Sequence, residues 1–126
     1  MKILIVDDDK FLVDMYSMKF SENGYDVVAA QTGDEAVEKI ETGLLPNVCL
    51  VDIVMPGMDG FEVVRRITEK LGDKKGAIIF LSNLGQKEDV EKGLGIGADG
   101  YIVKASATPS EVVSKVKEIL ANKMYK

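Results

Sequence analysis

Ile3-Leu4-Ile5-Val6-Asp7-Asp8-Asp9 is the stretch that decides the fold: an unbroken apolar run closed by three acids. A strand with one face in water alternates apolar and polar residues. A short, uninterrupted run of Ile, Leu and Val reads instead as a strand buried on both faces. Both faces are covered only when the chain crosses over the sheet between strands, which makes the sheet parallel with helices on each side. Working outward, the same signal recurs at Val48 to Val51 and at Ala77 to Leu81. Asp26 to Gln31 and Tyr101 to Val103 carry it more weakly and suit the sheet edges.

Helical patterns fill the intervals. Residues 10 to 23 place Phe11, Met15 and Met18 at i, i+4, i+7, an apolar stripe expected to face the core, with Gly24 as the stop. Thr32-Gly33-Asp34-Glu35 has the spacing of a capping box, followed by Ala36, Val37 and Ile40 as the buried positions. Asp59-Gly60-Phe61-Glu62 opens a third helix with Val64, Ile67 and Leu71 on one face. A fourth is expected near Lys87 to Leu94. The fifth begins Thr108-Pro109-Ser110-Glu111, with cap, proline and acid in their preferred places, and buries Val112 or Val113, Val116, Ile119 and Leu120. The order is βα repeated through the chain, with no linker, repeat or low-complexity tract. It predicts one α/β domain over 1–126: a (βα)5 doubly wound parallel sheet in the order 2-1-3-4-5, which changes direction between strands 1 and 3.

Composition removes whole classes of function. The chain has 126 residues, a single Cys and no His. Without His there is no Ser-His-Asp or Cys-His catalysis and no His-ligated zinc. One Cys makes no disulfide framework, so a reducing, cytoplasmic setting is the default expectation. Cys49 itself lies in an apolar run and reads as core. A net charge of −5 argues against nucleic-acid binding as the main task. No apolar run approaches the roughly 20 residues of a membrane span, and Asp7 interrupts the N-terminal run too early for a secretory signal.

The polar residues that end the strands share one edge. Strand 1 ends in Asp7-Asp8-Asp9, strand 3 in Asp52, strand 4 in Ser82-Asn83 and strand 5 in Lys104. Ligands of open α/β sheets bind outside the carboxyl ends of the strands, where the order reverses. An Asp ending one strand is an ordinary turn residue, but matching chemistry at four strand ends calls for a common purpose. Clustered carboxylates repel one another and demand a counter-cation. Their hard oxygens suit Mg²⁺ or Mn²⁺. A cation, a lysine and a hydroxyl around an acid are the parts of a phosphoryl site, and a carboxylate can itself accept the phosphoryl group.

These residues resemble the receiver domain of two-component response regulators over essentially the whole chain. The motifs are Ile5-Val6-Asp7-Asp8, Leu50-Val51-Asp52-Ile53-Val54-Met55-Pro56-Gly57-Met58-Asp59-Gly60, Leu81-Ser82-Asn83 and Gly97-Ala98-Asp99-Gly100-Tyr101-Ile102-Val103-Lys104. The resemblance implies a flavodoxin-like fold, with Asp52 as phosphoacceptor. Asp8 becomes a direct Mg²⁺ ligand, Asp7 a ligand through water, and the Val54 backbone carbonyl a further one. Lys104 would pair with the phosphoryl group, the Ser82 hydroxyl would turn toward it, and Tyr101 would be the switch aromatic. It also implies a histidine kinase or phosphotransfer protein as donor, and a downstream partner on the helix 4–strand 5–helix 5 face, the chain being a monomer or a phosphorylation-dependent dimer. Three positions depart from the family pattern. Asn83 replaces a small residue, Ala105 a common proline, and apolar Val54 supplies no side chain to orient water. With Leu84 also apolar, a long-lived aspartyl-phosphate is expected.

Two other functions compete: a non-phosphorylated binding module, opposed by the complete set of acids, Ser82 and Lys104, and a hydrolase with an aspartate nucleophile. The hydrolase would need a second acid where Val54 stands. The short stretch after helix 5 suggests a single-domain regulator, with a receiver fragment of a larger protein as the alternative. Gly93-Leu94-Gly95-Ile96-Gly97 follows a helix and precedes a strand, the wrong context for a dinucleotide loop. At Lys104–Ala105, where relatives with proline turn through a cis bond, the slack up to Thr108 predicts a trans peptide.

Overall fold

In a computed structural model, which describes residues 1–83, 91–93 and 95–124, five parallel strands form one sheet in the order 2-1-3-4-5. The strands are β1 (Lys2–Val6), β2 (Asp26–Ala30), β3 (Val48–Asp52), β4 (Ala77–Ser82) and β5 (Gly100–Val103). The helices are α1 (Lys10–Glu22), α2 (Gly33–Glu41), α3 (Gly60–Leu71) and, after β5, α5 (Pro109–Met124). Residues 91–93 and 95 are helical and are labelled α4. The rest of the fourth helix expected near Lys87 to Leu94 lies outside the described residues.

The pleat divides each inner strand between two cores. Leu4, Val6, Cys49, Val51, Ile78 and Phe80 face Ala36, Ile40, Val63, Val64 and Ile67 of α2 and α3. Ile3, Ile5, Val48, Leu50, Ile79 and Leu81 face Tyr16, Phe20, Val112, Val113 and Val116 of α1 and α5. Full burial of such a side chain is worth about 1.5–3 kcal/mol, so a strand buried on both faces is held from two sides. β2 and β5 are the edges, and both are only partly buried along most of their length.

The helix starts use the expected caps. The Glu35 amide donates to Thr32 Oγ1 at 3.0 Å and the Glu62 amide to Asp59 Oδ1 at 2.9 Å. Thr108 and Glu111 exchange backbone-to-side-chain bonds at 3.2 Å in both directions, a complete capping box. The stripe expected for α1 is corrected. Val13, Tyr16 and Phe20 are buried, while Phe11 is 71% and Met18 60% exposed and Met15 is half-buried. Both sets have helical spacing. The helix docks by the set that lies over β1 and against α5, leaving the other outside. The Lys104–Ala105 peptide is trans, and no described peptide is cis. The chain turns there through a short 3-10 segment, Lys104–Ser106, closed by a bond from the Ala107 amide to the Lys104 carbonyl. Among the described residues no helix is long and apolar enough to cross a membrane.

Candidate functional site

The carboxyl ends of β1, β3, β4 and β5 open into one crevice of about 420 Å³, lined by Asp7, Asp8, Asp9, Leu12, Asp52, Val54, Ser82, Asn83 and Lys104. Register explains the convergence. Val6 pairs with Val51, Asp52 with Leu81 and Ser82 with Val103, so the residues that follow or end these strands emerge at one level. Asp7 and Ser82 are each 1% exposed and Asp52 is 5% exposed. Val54, by contrast, is 60% exposed at the rim.

Carboxylate oxygens of Asp7, Asp8 and Asp52 lie within 4.8 Å of one another, Asp8 exposed and the other two buried. Lys104 Nζ reaches between them, 2.6 Å from Asp7 Oδ2 and 3.4 Å from Asp52 Oδ1. Burial pushes the Asp52 carboxyl up from 3.8 to about 7; Lys104 opposes the shift and the charges of Asp7 and Asp8 reinforce it. For Lys104, desolvation works against the ammonium, but its bonds and charges with Asp7 and Asp52 prevail and hold its pKa above the ordinary value. One ammonium thus faces a cluster of three carboxylates, paired with two of them, and it does not offset the burial that raises Asp52. That donor set, all hard oxygens of surplus negative charge, fits Mg²⁺ or Mn²⁺.

Not every predicted residue lies in the crevice. Asp9 lines it, but its side chain caps α1, with Oδ1 accepting the Leu12 amide at 3.3 Å. Its own amide donates to Asp7 Oδ1 at 3.0 Å, which fixes the orientation of Asp7. Tyr101 is not among the lining residues. It is half-buried and packs with the α2–α3 side core. Leu12 is a lining residue that sequence reading passed over, although its place in the first turn after the acids was a usable signal. Tyr16, buried on α1, was also missed. Burial raises its pKa, and its charged neighbours are Lys104, Asp7, Asp52 and Asp9. Leu84 lies outside the described residues.

A doubly wound sheet with an acid cluster, a hydroxyl and a lysine at its switch point defines a class, and comparison agrees. Residues 3–117 match the model of the response regulator receiver domain, and the chain belongs to that family. It is 35% identical over 119 residues to the alkaline phosphatase synthesis transcriptional regulatory protein PhoP of Bacillus subtilis, covering 94% of this chain and 48% of that protein. The chain therefore spans about half the length of that curated relative. A CheY-like receiver domain protein from Methanospirillum hungatei superposes with a TM-score of 0.87 at 31% identity, covering 98% of this chain and 96% of that one. CheY in a CheX–CheY–BeF3–Mg²⁺ complex from Borrelia burgdorferi gives 0.84 at 32% identity, over 94% of this chain and 88% of that one. Phosphorylation switching is the general function of the family.

Proposed function

We propose that residues 1–126 act as one cytoplasmic receiver unit that takes a phosphoryl group from the histidine of a kinase or phosphotransfer protein onto Asp52. The observation that carries this is Lys104 set between Asp7 and Asp52 at the floor of an acidic crevice. An oxygen of Asp52 attacks phosphorus, the P–N bond to the donor imidazole breaks, and its electron pair returns to that nitrogen. Asp7, Asp8, Asp52 and the Val54 carbonyl are the residues that would hold Mg²⁺ or Mn²⁺, which supplies positive charge for the phosphoryl oxygens. Lys104 leaves Asp7 to pair with one of those oxygens, and the buried Ser82 hydroxyl bonds another. The chain is a phosphoacceptor that assists its own phosphorylation and dephosphorylation, not an enzyme acting on a separate substrate. The ordering of Ser82 is passed to Tyr101 and to the α4–β5–α5 face, where a downstream protein binds.

Incubation with acetyl phosphate and Mg²⁺ should add one phosphate by intact-mass spectrometry, and Asp52→Asn should take up none. Phosphate on another residue, or full labelling of the variant, would overturn the assignment.

A further inference from the structure

The turn from β3 to α3 is closed by a contact on the site's own backbone. Residues 53–59 leave β3, run over the rim and return, and Gly60 begins α3. The Gly60 amide donates to the Ile53 carbonyl at 2.8 Å. A Cβ at Gly60 would stand 2.2 Å from the Asp52 carbonyl oxygen, 2.8 Å from Ile53 Cα and 2.9 Å from the Asp52 carbonyl carbon. Backbone cannot yield as a flexible side chain does. Any larger residue must push α3 outward or shift the Asp52–Ile53 peptide. Gly60 does not have a positive φ, so the demand is for space.

In sequence Ile53 lies between the two groups that this stretch brings to the proposed site, the Asp52 carboxylate at the end of β3 and the Val54 carbonyl in the turn after it. Asp59 fixes the start of α3 through the Glu62 amide, and Val63, Val64 and Ile67 anchor the helix in the core. Position is therefore passed from a rigid helix, through a backbone contact, to the peptide that carries Asp52. We infer that Gly60 is a positioning residue of the site: the α3 start, pressed on the Asp52–Ile53 peptide, sets where the Asp52 carboxylate and Val54 carbonyl stand relative to Asp8. This inference rests on the proposed cation site.

Gly76 supplies a matched control. A Cβ there would come 2.1 Å from the Asn47 carbonyl oxygen, an equally severe clash beside the start of β4, at the opposite end of the sheet from the crevice. Gly60→Ala and Gly76→Ala should both melt at lower temperature. In calorimetric titration with Mg²⁺ alone, only Gly60→Ala should weaken binding, by roughly 10–100-fold, the range seen when groups supporting metal ligands are lost. Gly60→Ala binding Mg²⁺ as tightly as the parent, or both variants weakening alike, would overturn the inference. Should either variant fail to fold, amide exchange on the unaltered protein still decides. Under native conditions, where these amides exchange by local opening, added Mg²⁺ should slow the Gly60 amide several-fold and the Ala77 amide, which donates to the Asn47 carbonyl beside Gly76, by less; a Gly60 amide slowed no more than Ala77 would refute the role. A parent chain that binds no Mg²⁺ would overturn the cation site as well, whereas failure of the variant alone leaves that site standing.

Discussion

Asp52 carries the sharpest residue-scale consequence of the crevice. Its carboxyl is raised from 3.8 to about 7, chiefly by burial. A raised pKa means that the fold favours the protonated form. Its contribution to stability is therefore fully present below about pH 4 and is lost as pH rises through about 7. Replacing it by Asn removes the buried charge. In metal-free buffer with a chelator, Asp52→Asn should be more stable than the parent at pH 8, by one to a few kcal/mol given roughly 1.4 kcal/mol per pKa unit. At pH 4 the two should nearly coincide. Urea denaturation at both values measures this, and an equal difference at the two pH values would contradict it. The same residue scale shows what sequence could and could not separate. Asp7, Asp8 and Asp9 are chemically identical neighbours. Only the backbone distinguishes them: Asp9 takes the extended conformation of a cap, at φ −86° and ψ 102°, and its carboxylate bonds the Leu12 amide, while Asp7 is buried against Lys104.

At the scale of elements, the helix starts were legible because a cap is a local signal. Thr32, Asp59 and Thr108 each stand three residues before an acid whose amide they accept. The inward face of α1 was not legible. Phe11-Met15-Met18 and Val13-Tyr16-Phe20 both have helical spacing, so periodicity offers two stripes and does not choose between them. The choice is tertiary: Tyr16 and Phe20 join the core with Ile3, Ile5 and Val113, and Phe20 also meets Tyr25 edge-to-face at 5.0 Å. Stability measurements should follow burial and not hydrophobicity. Phe20→Ala should cost about 3–5 kcal/mol through its cavity. Phe11→Ser and Met18→Gln should each stay within about 0.5 kcal/mol, as exposed substitutions do. A loss at Phe11 comparable to that at Phe20 would show that the exposed stripe is covered in solution.

For the whole molecule, the parallel, doubly wound sheet followed from β/α alternation and from inner strands buried on both sides, while the order 2-1-3-4-5 is the usual one for five such strands and the one the receiver resemblance implies. The crevice followed from the same topology, which gathers strand ends too far apart in sequence to be neighbours otherwise. Tyr101 shows the limit: its place on an edge strand says nothing of which face its ring covers. Topology would also link the proposed cation to global stability, since Asp8 belongs to the loop after β1 and Asp52 to the end of β3, and only the folded chain brings them together. A ligand that binds the folded state alone stabilises it by RT ln(1 + [L]/Kd), roughly 2.7 kcal/mol at a hundredfold excess over Kd. Mg²⁺ should accordingly raise the melting temperature of the parent chain, and the response should grow with concentration. Asp8→Ala removes an exposed member of the acid cluster at little cost in packing, so its fold should survive while the response to Mg²⁺ disappears. Without metal, that variant should melt no lower than the parent, because one carboxylate fewer repels Asp7 and Asp52. Thermal melts of both chains across a Mg²⁺ series test the two expectations together. A shift in Asp8→Ala equal to that of the parent would place the cation elsewhere, and a metal-free loss of stability would show that Asp8 is held by contacts beyond the acid cluster.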